Sequence, residues 1–182
     1  MNHIGTQTIE TRRLVLRRFT PADAQPMFDN WANDPEVTKF ITWLPHGTVE
    51  VTQSIVKGWV ESYEKPNSYQ WAIELEGQVI GSISVVTLKE RAQMAEIGYC
   101  LGRHWWHKGI MSEALRAVMK FLFEEVGVNC ITARHDVRNP NSGGVMKKCG
   151  MTLDGILRQS AWNNQGICNM ACYSILRSEW KP

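Results

Sequence analysis

Apolar positions along this chain change period several times, and the order of those changes predicts its elements. Residues 12–19 alternate apolar and polar with basic flanks and read as a strand. Thr20 and Pro21 then offer an N-cap and a first-turn proline for a helix reaching about Trp31, which Asn33-Asp34-Pro35 ends. After a loop at 40–47, Thr48 caps a second helix, with Val51, Ile55 and Trp59 expected on its buried face. Residues 69–75 and 78–88 form two strands joined at Glu76-Gly77, a hairpin signal, and 94–101 form a third. Beyond Gly109, Met111, Leu115, Val118 and Leu122 fall on one helical stripe, while Glu113, Arg116, Lys120 and Glu124 fall on the other. Residues 130–136 are a strand reached through that helix and are expected to run parallel to 94–101. A short helix follows from Asn139 to Cys149, then a closing hairpin of 151–158 and 168–176 around 163–166.

The fold expected from this succession is α/β: a mixed, mostly antiparallel sheet of about seven strands with about four helices, in one domain over 1–182. A parallel pair inside an otherwise antiparallel sheet is a place where a ligand can enter.

The chemistry gathers beside that pair. From Ile97 to Ser112 the chain has no acidic residue, while Arg103, His104, His107 and Lys108 crowd the approach to Gly109. The helix beginning there presents unpaired backbone N–H groups and the positive end of its dipole, and Gly109 lets backbone approach a bulky anion. On spacing alone, a glycine before an amphipathic helix also reads as an ordinary strand-to-helix turn. Neither a P-loop nor a dinucleotide fingerprint is present, because Lys108-Gly109 stands in reverse order and Gly98, Gly102 and Gly109 are wrongly spaced.

Composition narrows the class. With 182 residues, 43% of them hydrophobic and 21% charged, the chain suits one well-buried core. A net charge of +2 gives no general argument for nucleic-acid or membrane partners. Without an apolar run of spanning length or a leader-like N-terminus, the expected location is cytoplasmic. Five scattered cysteines without a Cys-x-x-Cys pair read as reduced core residues, and no metal is expected.

The run Trp106-His107-Lys108-Gly109-Ile110-Met111-Ser112-Glu113-Ala114 resembles the acyl-CoA pyrophosphate loop of the GNAT N-acetyltransferases, above all their RimJ/RimL-type branch that acetylates N-termini of ribosomal proteins. That loop commonly reads Trp-Gly-Lys-Gly-x-x-Ser/Thr-Glu-Ala; here His107 replaces a glycine and Met111 fills a small-residue slot. Thr11-x-Arg13-Leu14-x-Leu16-Arg17, Asn139-x-x-Ser142-x-x-Val145 with Gly150-Met151, Asp154-Gly155 and Tyr173-Ser174 extend the resemblance over nearly the whole chain. It implies acetyl-CoA as co-substrate, its pantetheine on backbone around Tyr99, Cys100 and Leu101, and its pyrophosphate over Trp106, His107, Lys108, Gly109, Ile110, Met111 and Ser112, with Asn139 and Ser142 nearby. Direct transfer to an amine needs a base for the ammonium and a proton donor for the departing thiolate. Glu96, acting through water, is the candidate base and Ser142 the candidate donor; Glu96 also reads as a solvated strand residue, and Ser142 as a helix cap. Where some members of the branch carry a glutamate this chain has Ala161, so Tyr99 and Tyr173 are further proton carriers to consider.

The expected acceptor is a primary amine, foremost a protein N-terminus. Trp31, Trp43, Trp59 and Trp162 with Phe40 and His46 would make an aromatic slot for it, or else core and dimer contacts. Two alternatives stay open: a small amine such as an aminoglycoside or polyamine, and a CoA-sensing module without turnover. A homodimer through aromatic surface is the assembly considered.

Overall fold

The computed structural model describes residues 1–181. One eight-stranded sheet runs through the molecule, with β1 (Ile9–Glu10), β2 (Leu14–Arg17), β3 (Gln70–Leu75), β4 (Gln78–Lys89), β5 (Met94–Leu101), β6 (Cys130–Asp136), β7 (Thr152–Asn163) and β8 (Gly166–Leu176) in the order β1-β2-β3-β4-β5-β6-β8-β7. The expected strands are present, and β1 is the additional one, a two-residue edge piece paired with β2. Every pairing is antiparallel except β5 with β6. Glu76 and Gly77 both take positive φ, as a two-residue hairpin turn of mirror type requires.

Helices cover both faces. Ile97 and Leu101 on β5 pack with α4 (Ile110–Phe121) and with Met146 of α5 (Pro140–Lys148). Leu115, Val118 and Leu122 are fully buried, as their spacing predicts, and each contributes roughly 1.5–3 kcal/mol. On the opposite face, α1 (Ala24–Met27), the π-helical turn Phe28–Ala32 that continues it, and α3 (Val49–Ser62) bury Met27, Trp31 and Val56 against Ala72 and Val79 of the sheet. Among the described residues no helix is long and apolar enough to cross a membrane.

Two helical details differ from the sequence reading. The buried face of α3 is Thr52 and Val56, whereas Val51 and Ile55 are 44% and 41% exposed. The Thr52 hydroxyl is satisfied by His46 Nδ1 at 2.7 Å, so a polar residue can point inward without an unpaired group. Asp34-Pro35 does more than break a helix. Asp34 accepts from the Glu36 amide at 2.9 Å and caps a fifth, one-turn helix, α2 (Pro35–Thr38).

The feature that makes the site lies at the centre of the sheet. β5 and β6 pair only from Met94 to Glu96 and from Cys130 to Thr132; beyond this, β5 holds only β4, and β6 holds only β8. The divergence begins where β4 carries an irregularity, with Val85 opposite Ile97 and Thr87 opposite Glu96, so that Val86 is extra. Such a bulge bends and twists the strand pair. Gly98 makes room for it, since a Cβ there would meet Val86 Cγ1 at 2.8 Å. Bulge and glycine together turn β5 away from β6 and leave two facing strand edges unpaired.

Candidate donor and transfer site

A cavity of about 560 Å³ occupies this opening. Its wall includes Tyr99, Cys100 and Leu101 on the free edge of β5, then Trp105, Trp106, His107 and Gly109 of the loop, and Ile110, Met111 and Ser112 of α4. Asn139 and Ser142 close it from α5, and Glu36, Val37, Phe40 and Ile41 stand at the other end. The residues that the sequence brought together as cofactor-binding thus surround one space, with Lys108 the exception: its side chain is exposed and off the wall.

The loop is held rigidly. Trp106 Nε1 donates to the Leu101 carbonyl at 2.8 Å, and a Cβ at Gly102 would meet the Trp105 ring at 2.8 Å. Both tryptophans therefore anchor the turn from strand to helix. His107 and Gly109 both adopt left-handed backbone, with φ of 60° and 72°. Histidine in that conformation costs about 1–2 kcal/mol relative to glycine, which is what the resembling loop carries at this place. Glu113, on the solvated side of α4, is half-buried rather than free, accepting from Thr11 Oγ1 at 2.7 Å, the Arg13 amide at 2.9 Å and Arg13 Nε at 2.7 Å. Arg13 Nη1 also donates to the Lys108 carbonyl at 3.0 Å. The N-terminal strand is thus fastened to the loop, a connection the sequence reading missed.

At the transfer end the Tyr99 hydroxyl donates to the Ser142 carbonyl at 2.9 Å and lies 3.0 Å from Ser142 Oγ. Asn139 occupies the N-cap of α5 and Pro140 its first turn, so Ser142 is inside the helix and its hydroxyl is engaged by Tyr99 rather than by a cap. Burial pushes the Tyr99 phenol above its usual range, opposed in part by the bond to Ser142, and the phenol stays protonated. The thiol of Cys100, on the same strand edge, is pushed by burial up to about 12, which disfavours a thiolate nucleophile and suits direct transfer.

Glu96 is placed differently. Its neighbours Ala95 and Ile97 face α4, so its side chain lies on the other face of the sheet, where it pairs with Arg134 Nε at 2.7 Å. It does not line the cavity; the carboxylate on the wall is that of Glu36. Tyr173 is buried in the core and stacks on His135. Nor do the four tryptophans of the envisaged slot line the cavity. Trp31 is wholly buried, Trp43 and Trp59 pack around α1 and α3, and Trp162 is 59% exposed, while Phe40 alone of that group reaches the wall.

The acceptor end has its own fastening. At the tip of the β7–β8 hairpin, Asn164 Nδ2 donates to the carbonyls of Thr38 at 2.9 Å and Trp43 at 2.8 Å, and its amide donates to Ile41 O at 3.2 Å. Asn163 beside it donates to the buried carboxylate of Asp136, at the end of β6, at 2.7 Å. The segment carrying Phe40 and Ile41 is therefore tied through the hairpin to the strand that leads into α5.

A free strand edge accepts an amide-bearing arm as it would another strand, and an anion loop at the end of the edge suits a phosphorylated carrier. The fold and this site suit an enzyme that draws on a carrier of that kind. Residues 13–152 match the family model described as acetyltransferase (GNAT) domain, and the chain belongs to that family: it is an acetyl-CoA-dependent N-acetyltransferase, acting on amines. It is 30% identical over 171 residues to the uncharacterized N-acetyltransferase YoaA of Bacillus subtilis, covering 93% of this chain and 96% of that one. The ribosomal-protein-serine acetyltransferase of Escherichia coli is 28% identical over 146 residues, covering 76% and 82%. Among solved structures, the ribosomal L7/L12 acetyltransferase RimL in complex with coenzyme A superposes with a TM-score of 0.84 at 20% identity, covering 93% of this chain and 98% of that one.

Proposed function

We propose that this enzyme acetylates the N-terminal amine of a protein, with pantetheine along the free edge of β5 and pyrophosphate over residues 107–112. The observation that carries the acceptor reading is the composition of the cavity's far end. Apart from Phe40, Ile41 and Val37 it offers one carboxylate, Glu36, with Lys39 beside it. A single ammonium with an adjoining peptide suits that wall better than a polycation, which calls for several carboxylates. The ribosomal-protein relative supports the same reading.

In the proposed reaction the amine attacks the thioester carbonyl, the C–S bond breaks, and Ser142, oriented by Tyr99, passes its hydroxyl proton to the thiolate while taking one from the nitrogen that becomes the amide. The ammonium must first lose its own proton. Glu96 serves as base only through water and against its ion pair with Arg134, whereas Glu36 stands on the wall; Glu36→Gln is therefore expected to lower kcat more than Glu96→Gln. The primary test is thiol release from acetyl-CoA with short peptides bearing free N-termini, compared with spermidine and an aminoglycoside. Faster turnover of either small amine would overturn the proposal, and CoA binding without turnover of any amine would mark a sensor.

Asn164 allows the acceptor end to be probed separately. Asn164→Ala leaves the Thr38 and Trp43 carbonyls without their donor, at a cost of about 1–2 kcal/mol in stability. Peptide KM is expected to rise by roughly tenfold as the segment loosens, with CoA affinity unchanged. Calorimetry and initial rates at saturating acetyl-CoA check both parts.

A further inference from the structure

We infer that Arg13 and Lys148, which stand far apart in the chain, close on the donor's diphosphate from two sides of Gly109; the inference rests on the acetyl-CoA reading above. A Cβ built on Gly109 would lie 3.7 Å from Arg13 Nη2 and 3.8 Å from Lys148 Nζ. Two cations thus converge on the glycine that opens α4, where the first amides of the helix are also directed.

Internal contacts hold Arg13 in place but leave part of this positive charge unpaired. Glu113, the carboxylate that holds Arg13, is committed to Thr11, to the Arg13 amide and to Arg13 Nε, and Nη1 is taken by the Lys108 carbonyl. That leaves Nη2 pointing past the loop. Among the described residues Lys148 Nζ has no hydrogen-bonding or ionic partner, although the lysine's backbone is fixed by Arg116 Nη2, which donates to its carbonyl at 2.9 Å. Two like charges on one glycine disfavour each other until an anion sits between them. Lys148 also lines the cavity, at the last position of α5, so its ammonium faces the same space as the loop amides. A diphosphate lying over Gly109 would receive helix amides from below, the Arg13 guanidinium from the bend before β2 and the Lys148 ammonium from the end of α5.

Lys148→Gln is the cleaner test, because the side chain has no internal contact to lose. CoA and dephospho-CoA binding are measured by calorimetry on the intact enzyme and on Lys148→Gln, at low and high ionic strength, alongside kcat/KM for acetyl-pantetheine, which lacks the diphosphate. The expected result is an affinity loss of about fivefold for both nucleotides at low salt, smaller at high salt and absent with acetyl-pantetheine. Arg13→Lys, which keeps the charge but not the fork, is expected to lose less than Arg13→Gln. A change below about twofold for CoA in Lys148→Gln would overturn the clamp, as would an equal loss with acetyl-pantetheine or a loss with CoA that spares dephospho-CoA. Absence of CoA binding by the intact enzyme would instead overturn the donor reading, and the clamp with it.

Discussion

Replacing Gly109 by glutamate is expected to abolish donor binding, lowering CoA affinity by roughly 100-fold or more, because a like charge set against a phosphate costs several kcal/mol. The carboxylate would do more than repel. Its Cβ would start 3.7 Å from Arg13 Nη2 and 3.8 Å from Lys148 Nζ, so the new side chain would pair with the cations that line the site and occupy the place of the ligand. Backbone strain adds to this, since Gly109 has φ of 72° and a residue with a Cβ pays about 1–2 kcal/mol there. Gly109→Ala separates the two effects. Beyond its chain neighbours, the nearest atom to its added methyl group is Arg13 Nη2 at 3.7 Å, so it carries the strain without the charge, and its affinity loss is expected to stay below about tenfold. Calorimetry with CoA on both variants, together with thermal melts, makes the comparison. Equal losses in the two would show that backbone geometry rather than phosphate electrostatics governs the loop.

The site was legible in the sequence to the extent that its parts are local. Strand, cationic loop, Gly109 and the amphipathic stripe of α4 follow one another directly, and each is specified by neighbours within a turn or two. The splay of β5 from β6 is not local. It depends on the extra residue Val86 in β4 and on Gly98 across the ladder, and neither the alternation of β4 nor that of β5 announces a register change. The Arg13–Glu113 ion pair spans 100 residues, so both members read as ordinary surface charge until the fold joins them. In α3 the error came from ranking positions by apolarity: Thr52 is buried because His46 satisfies it, and the two aliphatic residues on the competing face stay in solvent. The placement of Glu96 follows the same limit. A glutamate on the strand before the loop has the right residue type, but a helix on one face of the sheet and Arg134 on the other determine where it points.

The second large effect concerns Ser142. In Ser142→Ala the departing thiolate loses the hydroxyl assigned to it, and kcat is expected to fall about 100-fold with CoA affinity nearly unchanged, a typical loss for removal of a general acid. The Tyr99 hydroxyl, 3.0 Å from Ser142 Oγ, stays protonated because burial raises its phenol, so it can orient the serine throughout the neutral range. Acting through Ser142, Tyr99 should matter only while the serine is present. Tyr99→Phe alone is expected to lower kcat by about tenfold, and to add little in the Ser142→Ala background, since groups working as a unit are not additive. Two independent proton donors would instead give multiplying losses. A rate within about threefold of the unmodified enzyme in the double variant would remove both from the mechanism and leave solvent as the source of the proton.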